Sequence, residues 1–206
     1  MKKKVLIGIV AVIIAIGVIG SLGGDKKETS KASNSATQEV AKVTEEPKKE
    51  VDENIPMEYK SALAKAESYA NNQYMSKRAV YKQLTSEYGE GFTKEAAQYA
   101  IDNVVSDWNE NALNKATSYA NDQYMSKKSV YEQLISEYGE EFTKDEADYA
   151  ISKVEANWKE NALKKAISYQ QDMNMSRKSV YNQLVSDYGE KFTKEEADYA
   201  LENLPK

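Results

Sequence analysis

"SEYGEGFTKEAAQYA" occupies residues 86–100, and the chain writes the phrase again as "SEYGEEFTKDEADYA" at 136–150 and as "SDYGEKFTKEEADYA" at 186–200. A phrase that returns at a constant interval marks one supersecondary unit copied in series. After Pro56 the next proline is Pro205, and the glycines in between, Gly89, Gly91, Gly139 and Gly189, all fall inside the phrase. Chain breakers are therefore confined to one turn per copy, and the rest of each copy reads as helix.

Each helix carries its own start and stop signals. Ser76, Ser126 and Ser176 suit an N-cap; Met75, Met125 and Met175 precede them, and Val80, Val130 and Val180 follow at the spacing of a hydrophobic staple. Val80, Tyr81, Leu84 and Tyr88 then mark one helical face. Gly89, Gly139 and Gly189 sit where a left-handed C′ residue would end a helix of about 13 residues, so positive φ is expected at all three. The next helix opens at Thr93, Thr143 or Thr193, with Phe92 and Ala97 placed for a second staple. Thr143 with Glu146 and Thr193 with Glu196 have capping-box spacing, whereas the first copy has Ala96 and lacks the box. Ala97, Ala100, Ile101 and Val104 form the buried stripe of this helix, and the variable turn position, Gly91, Glu141 or Lys191, reads as exposed.

A third helical stretch, "SALAKAESYANNQY" in the first copy, precedes each Ser-capped helix, with Leu63, Ala66, Tyr69 and Ala70 on its apolar face. The expected fold class is all-α: three tandem three-helix repeats of about 50 residues, each containing a helix-turn-helix as its second half. The repeats are placed at 57–108, 109–158 and 159–206. Trp108 and Trp158 occur only at the two junctions, where a large aromatic can lock neighbouring units together. Asp107 with Glu110 and Asn157 with Glu160 suggest a helix start, and hence a break, at each junction.

The first 56 residues differ in kind. Three lysines precede an uncharged run from Val5 to Leu22, which as a helix would span roughly 27 Å, close to the thickness of a bilayer core. Residues 1–23 are expected to be a membrane anchor with its N-terminus inside; the competing reading is a secretory signal cut near Ser21 or Gly23. Residues 24–56, rich in Lys, Glu, Ser and Thr and free of aromatics, read as a flexible tether.

The composition narrows the chemistry. The chain has no histidine and no cysteine, which removes thiol nucleophiles, His-based acid/base catalysis and the usual zinc sites. Its carboxylates fall at helix caps and on polar faces, and no phosphate-binding glycine loop or calcium loop is written in it. No enzyme, no catalytic residue, no metal and no cofactor are expected. The helix-turn-helix invites a DNA reading, but its second helix carries acidic text that phosphates would repel, so no nucleic acid is expected either. The fifteen tyrosines invite a sugar-binding or nucleic-acid reading, yet Tyr69, Tyr81, Tyr88 and Tyr99 recur with the apolar residues and read mostly as core.

Two binding surfaces remain. The middle repeat is the most acidic, and Glu137, Glu140, Glu141, Asp145 and Asp148, with Glu146 beside them, could dock a basic segment of another protein. The doublets Lys77 and Arg78, Lys127 and Lys128, Arg177 and Lys178 lie in first helical turns, where the macrodipole disfavours positive charge. Internal ion pairs would account for them; the functional alternative is a row of sites for a wall polymer or other polyanion.

The text "SVYEQLISEYGEEFTKDEADYAI", with the related text across residues 61–204, resembles the repeat of the host cell surface-exposed lipoprotein (Ltp) family, found mainly in Gram-positive bacteria and their phages. The resemblance implies superinfection exclusion: members displayed outside the plasma membrane block passage of related phages' DNA into the cell, with the tail tape measure protein implicated as target. The expected partner is thus that protein or another tail component, and the alternative is a cell-envelope structural or polyanion-binding module. The family's lipid anchor requires a cysteine that this chain does not have. The segment at 5–22 is expected to replace it, giving a single-pass protein of the bacterial plasma membrane with its repeats on the outer face.

Overall fold

The computed structural model describes residues 54–205, which lie within one unit spanning residues 49–206. The expected anchor and nearly all of the tether lie outside the described residues. Among those described, no helix is long and apolar enough to cross a membrane.

Nine helices follow in order among the described residues. The first repeat contains α1 (Met57–Gln73), α2 (Lys77–Thr85) and α3 (Lys94–Asn103); the second α4 (Trp108–Asn121), α5 (Lys127–Ile135) and α6 (Lys144–Lys153); the third α7 (Trp158–Gln171), α8 (Arg177–Val185) and α9 (Lys194–Asn203). The fold is all-α and built from three tandem repeats. In each, the first and third helices pack most extensively, with the second bridging them. Alanine explains that pairing: Ala62, Ala66 and Ala70 of α1 recur at helical spacing opposite Ala96, Ala97 and Ala100 of α3, and all six are fully buried. The bulk missing from this seam is supplied by Val80 and Leu84 of α2 and by their equivalents in α5 and α8.

The caps form largely where the residue types place them. Ser76, Ser126 and Ser176 each accept the N–H of the third helical residue, and full capping boxes join Thr143 to Glu146 and Thr193 to Glu196. In the first repeat Glu58, reaching over from α1, substitutes for the missing partner: its carboxylate accepts the Thr93 N–H at 3.0 Å and the Thr93 hydroxyl at 2.8 Å. Those two bonds hold the Glu58 carboxyl below its ordinary value.

The glycine turn differs from its expected form. Helix α2 has 9 residues and stops at Ser86, whose backbone is extended. The chain then wraps back, so that the Glu90 N–H donates to Gln83 O, the Phe92 N–H to Leu84 O and the Gly91 N–H to Ser86 O, satisfying the carbonyls a helix end leaves free. Gly89, Gly139 and Gly189 do not take positive φ; that conformation belongs to Gly91 (66°), Glu141 (58°) and Lys191 (60°). Glycine is used at 89, 139 and 189 for close approach: a Cβ there would lie 2.3 Å from the carbonyl oxygen of Gln83, Gln133 or Gln183. Because the helix ends early, Tyr88 leaves the apolar face to which its spacing assigned it.

Neighbouring repeats are joined by residues at the start of one unit that reach into the unit before it. Trp108, the first residue of α4, packs on the core of the first repeat, and Trp158 does the same to the second. One turn further along α4, the buried Asn111 amide donates to Ala70 O at 2.9 Å and Met75 O at 3.1 Å. Ala70 lies in the last turn of α1, where carbonyls lack intrahelical partners. Asn161 repeats the arrangement with Ala120 O at 2.7 Å and Met125 O at 3.2 Å.

Candidate functional site

Each glycine turn is tied down within its own repeat, and the turns of the second and third repeats are also held from the repeat before. Within its own repeat, the glutamate after the glycine accepts a short hydrogen bond from a tyrosine of the first helix: Tyr69 to Glu90, Tyr119 to Glu140, Tyr169 to Glu190. A lysine one turn earlier joins each pair, Lys65 at 2.9 Å, Lys115 at 3.1 Å and Lys165 at 3.4 Å. The Tyr69 hydroxyl and then Lys65 hold the Glu90 carboxyl below its ordinary value. Burial, then the bond to Glu190, pushes the Tyr169 hydroxyl up to about 12, and Tyr119 is raised by the same causes. From the preceding repeat, the Ser76 hydroxyl donates to the Glu140 carbonyl at 2.5 Å and Ser126 to the Glu190 carbonyl at 2.6 Å.

These contacts divide the acidic candidates. Glu140 and Glu141 belong to the turn and are engaged inside the protein. The Glu141 side chain is 5% exposed and pairs with Lys82 at 2.5 Å and with Arg78 at 3.3 Å across the seam. Glu146 caps α6. Glu137, Asp145 and Asp148 stay exposed, and Asp148 raises the Tyr131 hydroxyl after burial does so. The five carboxylates thus do not form one free acidic face.

The basic doublets divide too. Arg78 and Lys128, the second members, hold the seams, Arg78 through Glu141 and Lys128 through Asp187 at 2.7 Å. Their partners lie on the next repeat's turn rather than on the acidic helices. Arg177 donates to the Leu201 carbonyl. Lys77 and Lys127 line equivalent open clefts of ≈ 430 Å³ and ≈ 370 Å³, floored by Tyr81 with Ile101 and by Tyr131 with Ile151. Among the described residues neither lysine has an ion-pair partner, and the same holds for Lys178.

The seam charges reverse sign from one junction to the next. At the first, a cation at position 82 meets an anion at 141; at the second, Glu132 meets Lys191. These are equivalent positions in successive repeats, and the outward-facing members of the series, Gly91 and Asn182, are uncharged. The signal was present in the sequence: the two positions vary together between copies and swap sign in step.

Tyr88, Tyr138 and Tyr188 stand almost free of the protein, at 101%, 93% and 102% of full exposure. The sign of their placement is the serine two residues earlier, which ends the helix and whose hydroxyl accepts the tyrosine's own N–H at 3.1–3.2 Å. Tyr69, Tyr81 and Tyr99, by contrast, are half-buried. No cluster of three or more acidic groups among the described residues is arranged to hold a metal.

The sequence model of the family described as "Host cell surface-exposed lipoprotein" matches three consecutive stretches, residues 57–104, 107–154 and 157–204. The chain belongs to this family. The three Ltp matches coincide with the helix triplets α1–α3, α4–α6 and α7–α9. A solved structure similar to this chain is that of Ltp, a superinfection exclusion protein from the Streptococcus thermophilus temperate phage TP-J34. It has 36% sequence identity over 50% of this chain and 100% of that one, with a TM-score of 0.45. No curated protein matches this Ltp-family chain.

Proposed function

We propose that this chain is a surface-displayed, membrane-anchored binding protein of phage superinfection exclusion. It holds three Ltp repeats on the outer face of the bacterial plasma membrane, where they bind a component of an incoming phage tail and block passage of its DNA into the cell. The observation that supports this reading is the uninterrupted series of three family modules, joined at each seam by a buried asparagine. The anchor in this reading is the segment at 5–22. The test is expression of the full chain in a susceptible Gram-positive host, with adsorption and DNA uptake measured separately. Normal adsorption with blocked uptake is the expected result, and unchanged infection by a broad panel of phages refutes it. A second reading, an envelope module that binds a polyanion, is favoured by one observation: Lys77 and Lys127, without ion-pair partners among the described residues, recur in equivalent clefts. It predicts that neutralising these two lysines abolishes binding to anionic wall polymer.

A further inference from the structure

Tyr88, Tyr138 and Tyr188 are the most exposed large hydrophobic side chains of the described residues, and the core reading of their spacing leaves them without a role. A fully solvated aromatic ring contributes nothing to packing, yet tyrosine stands at this position in all three copies while the turn position three residues on changes from Gly to Glu to Lys. The backbone beneath each ring is fixed. The tyrosine N–H is bonded to the serine hydroxyl, the following glycine N–H to the serine carbonyl at 3.0 Å, and the next N–H to the glutamine carbonyl at 3.0–3.1 Å. The glycine cannot be replaced without collision, and the glutamate beyond it is held by a tyrosine and a lysine of the first helix. Such a turn presents an aromatic side chain on a rigid mount, at little entropic cost to a partner that binds it. The two seams use equivalent contacts to the turns of the second and third repeats, so the mounts are repeated in register with the array.

The residue before each ring sets the chemistry of the occupant. Glu87, Glu137 and Asp187 are exposed carboxylates adjacent to the tyrosines. Glu87 and Glu137 have no ion-pair partner among the described residues, whereas Asp187 is shared with Lys128. An aromatic face beside a carboxylate is complementary to a lysine or arginine side chain, whose alkyl stem and charge meet the ring while the charge also meets the carboxylate.

We propose that these three turns form a comb-like docking surface for a basic segment of a protein partner, with one cation seated at each Tyr–carboxylate pair and the weakest of the three seats at Tyr188. This rests on the reading of the chain as a protein-binding array and names the chemistry of its partner. Unlike the acidic face expected from the middle repeat alone, the surface extends over all three repeats and takes only Glu137 from that set.

The test uses the full chain and, as probe, a synthetic peptide of alternating Lys and Leu, with an otherwise identical Glu and Leu peptide as control. The substitution Tyr→Ala at 88, 138 and 188 together leaves net charge unchanged, so loss of binding isolates the rings from general electrostatic attraction. The expected loss is about tenfold or more, with the thermal midpoint unmoved because the rings touch no core. Tyr→Phe at the same positions is expected to keep binding within about twofold, since phenylalanine offers the same ring face. Glu87→Gln with Glu137→Gln is expected to weaken binding and flatten its salt dependence. Unaltered affinity in the triple alanine variant overturns the proposal. So does selective binding of purified wall polysaccharide that the Tyr→Phe variant loses, because hydroxyl-dependent stacking on sugar is a different recognition. In the phage assay, a wild-type chain that excludes and a triple alanine variant that excludes equally refute the comb while sparing the exclusion reading. A wild-type chain that binds the Lys peptide through the tyrosines but excludes no phage refutes the exclusion reading alone.

Discussion

Replacing Glu141 by lysine puts a cation where Lys82 and Arg78 both expect an anion. The Glu141 carboxylate is almost wholly buried, and its partners are more than half exposed, at 2.5 Å and 3.3 Å. Loss of a buried member of an ion pair costs about 3–5 kcal/mol, and an exposed pair is worth about 0–1 kcal/mol. With one buried member and two screened ones, Glu141→Lys should fall between, at about 2–3 kcal/mol. The second seam supplies the repair. Adding Lys82→Glu recreates the Glu132–Lys191 arrangement at the first seam, and Arg78 can turn to Glu137, which is equivalent to the Asp187 that Lys128 uses. The double variant should recover about half of the loss or more, about 1–1.5 kcal/mol relative to Glu141→Lys alone, and the coupling in a double-mutant cycle exceeds that recovery by the cost of Lys82→Glu alone, which sets a second carboxylate against Glu141. Urea unfolding followed by tryptophan fluorescence is the assay, since the chain's two tryptophans sit one at each seam. If Glu141→Lys costs no more than Glu137→Lys, or if the double variant is no more stable than the single, the reasoning about the seam is wrong.

Gly139→Ala should destabilise by about 2 kcal/mol or more, because its Cβ meets a backbone oxygen. Gly91→Ala should cost about 1 kcal/mol for its left-handed backbone alone, and equal thermal midpoints for the two would contradict both explanations. Asn111→Ala should cost about 1–3 kcal/mol by leaving buried carbonyls unpaired, with a blue or red shift of Trp108 emission as the seam loosens; unchanged stability and emission would deny Asn111 a seam role. Acid should weaken the array from near pH 4.5 downward. The carboxyls of Glu58, Glu90 and Asp187 are held below their ordinary values by Thr93, Tyr69 and Lys128, so the stability they confer is present above those values and is lost as they protonate. At the alkaline end the Tyr169 hydroxyl, raised from 10.0 to about 12, keeps its contribution below pH 10 and loses it as pH rises to 12; denaturant midpoints measured across both ranges check the two slopes.

The helix order and most helix starts were legible because caps are local: Ser76, Thr143 and Glu146 act within four residues of each other, and their types state the geometry. The helix end was misread for a local reason as well. A glycine beside a helix usually marks positive φ, and here Ser86 ends the helix first, so the glycine serves a close approach and Tyr88 points outward instead of in. The expected exposure of Glu141 failed for a different cause. Glu141 looks like a solvated turn residue until Lys82, far away in the chain, is brought against it, and only the linked sign change at 82, 132, 141 and 191 hinted at that contact. The Glu58 cap on Thr93 was hidden likewise, since it spans two helices of one repeat.

The alternating seam charges also bear on how such a gene can change. Tandem copies of similar DNA invite unequal recombination, which removes or duplicates whole units. Loss of the middle unit would set Arg78 and Lys82 against Lys191, and a second middle unit inserted after the first would set Glu132 against Glu141. Either product begins life with like charges pressed together at a new junction, so the protein's own electrostatics disfavour the loss or doubling of the middle unit.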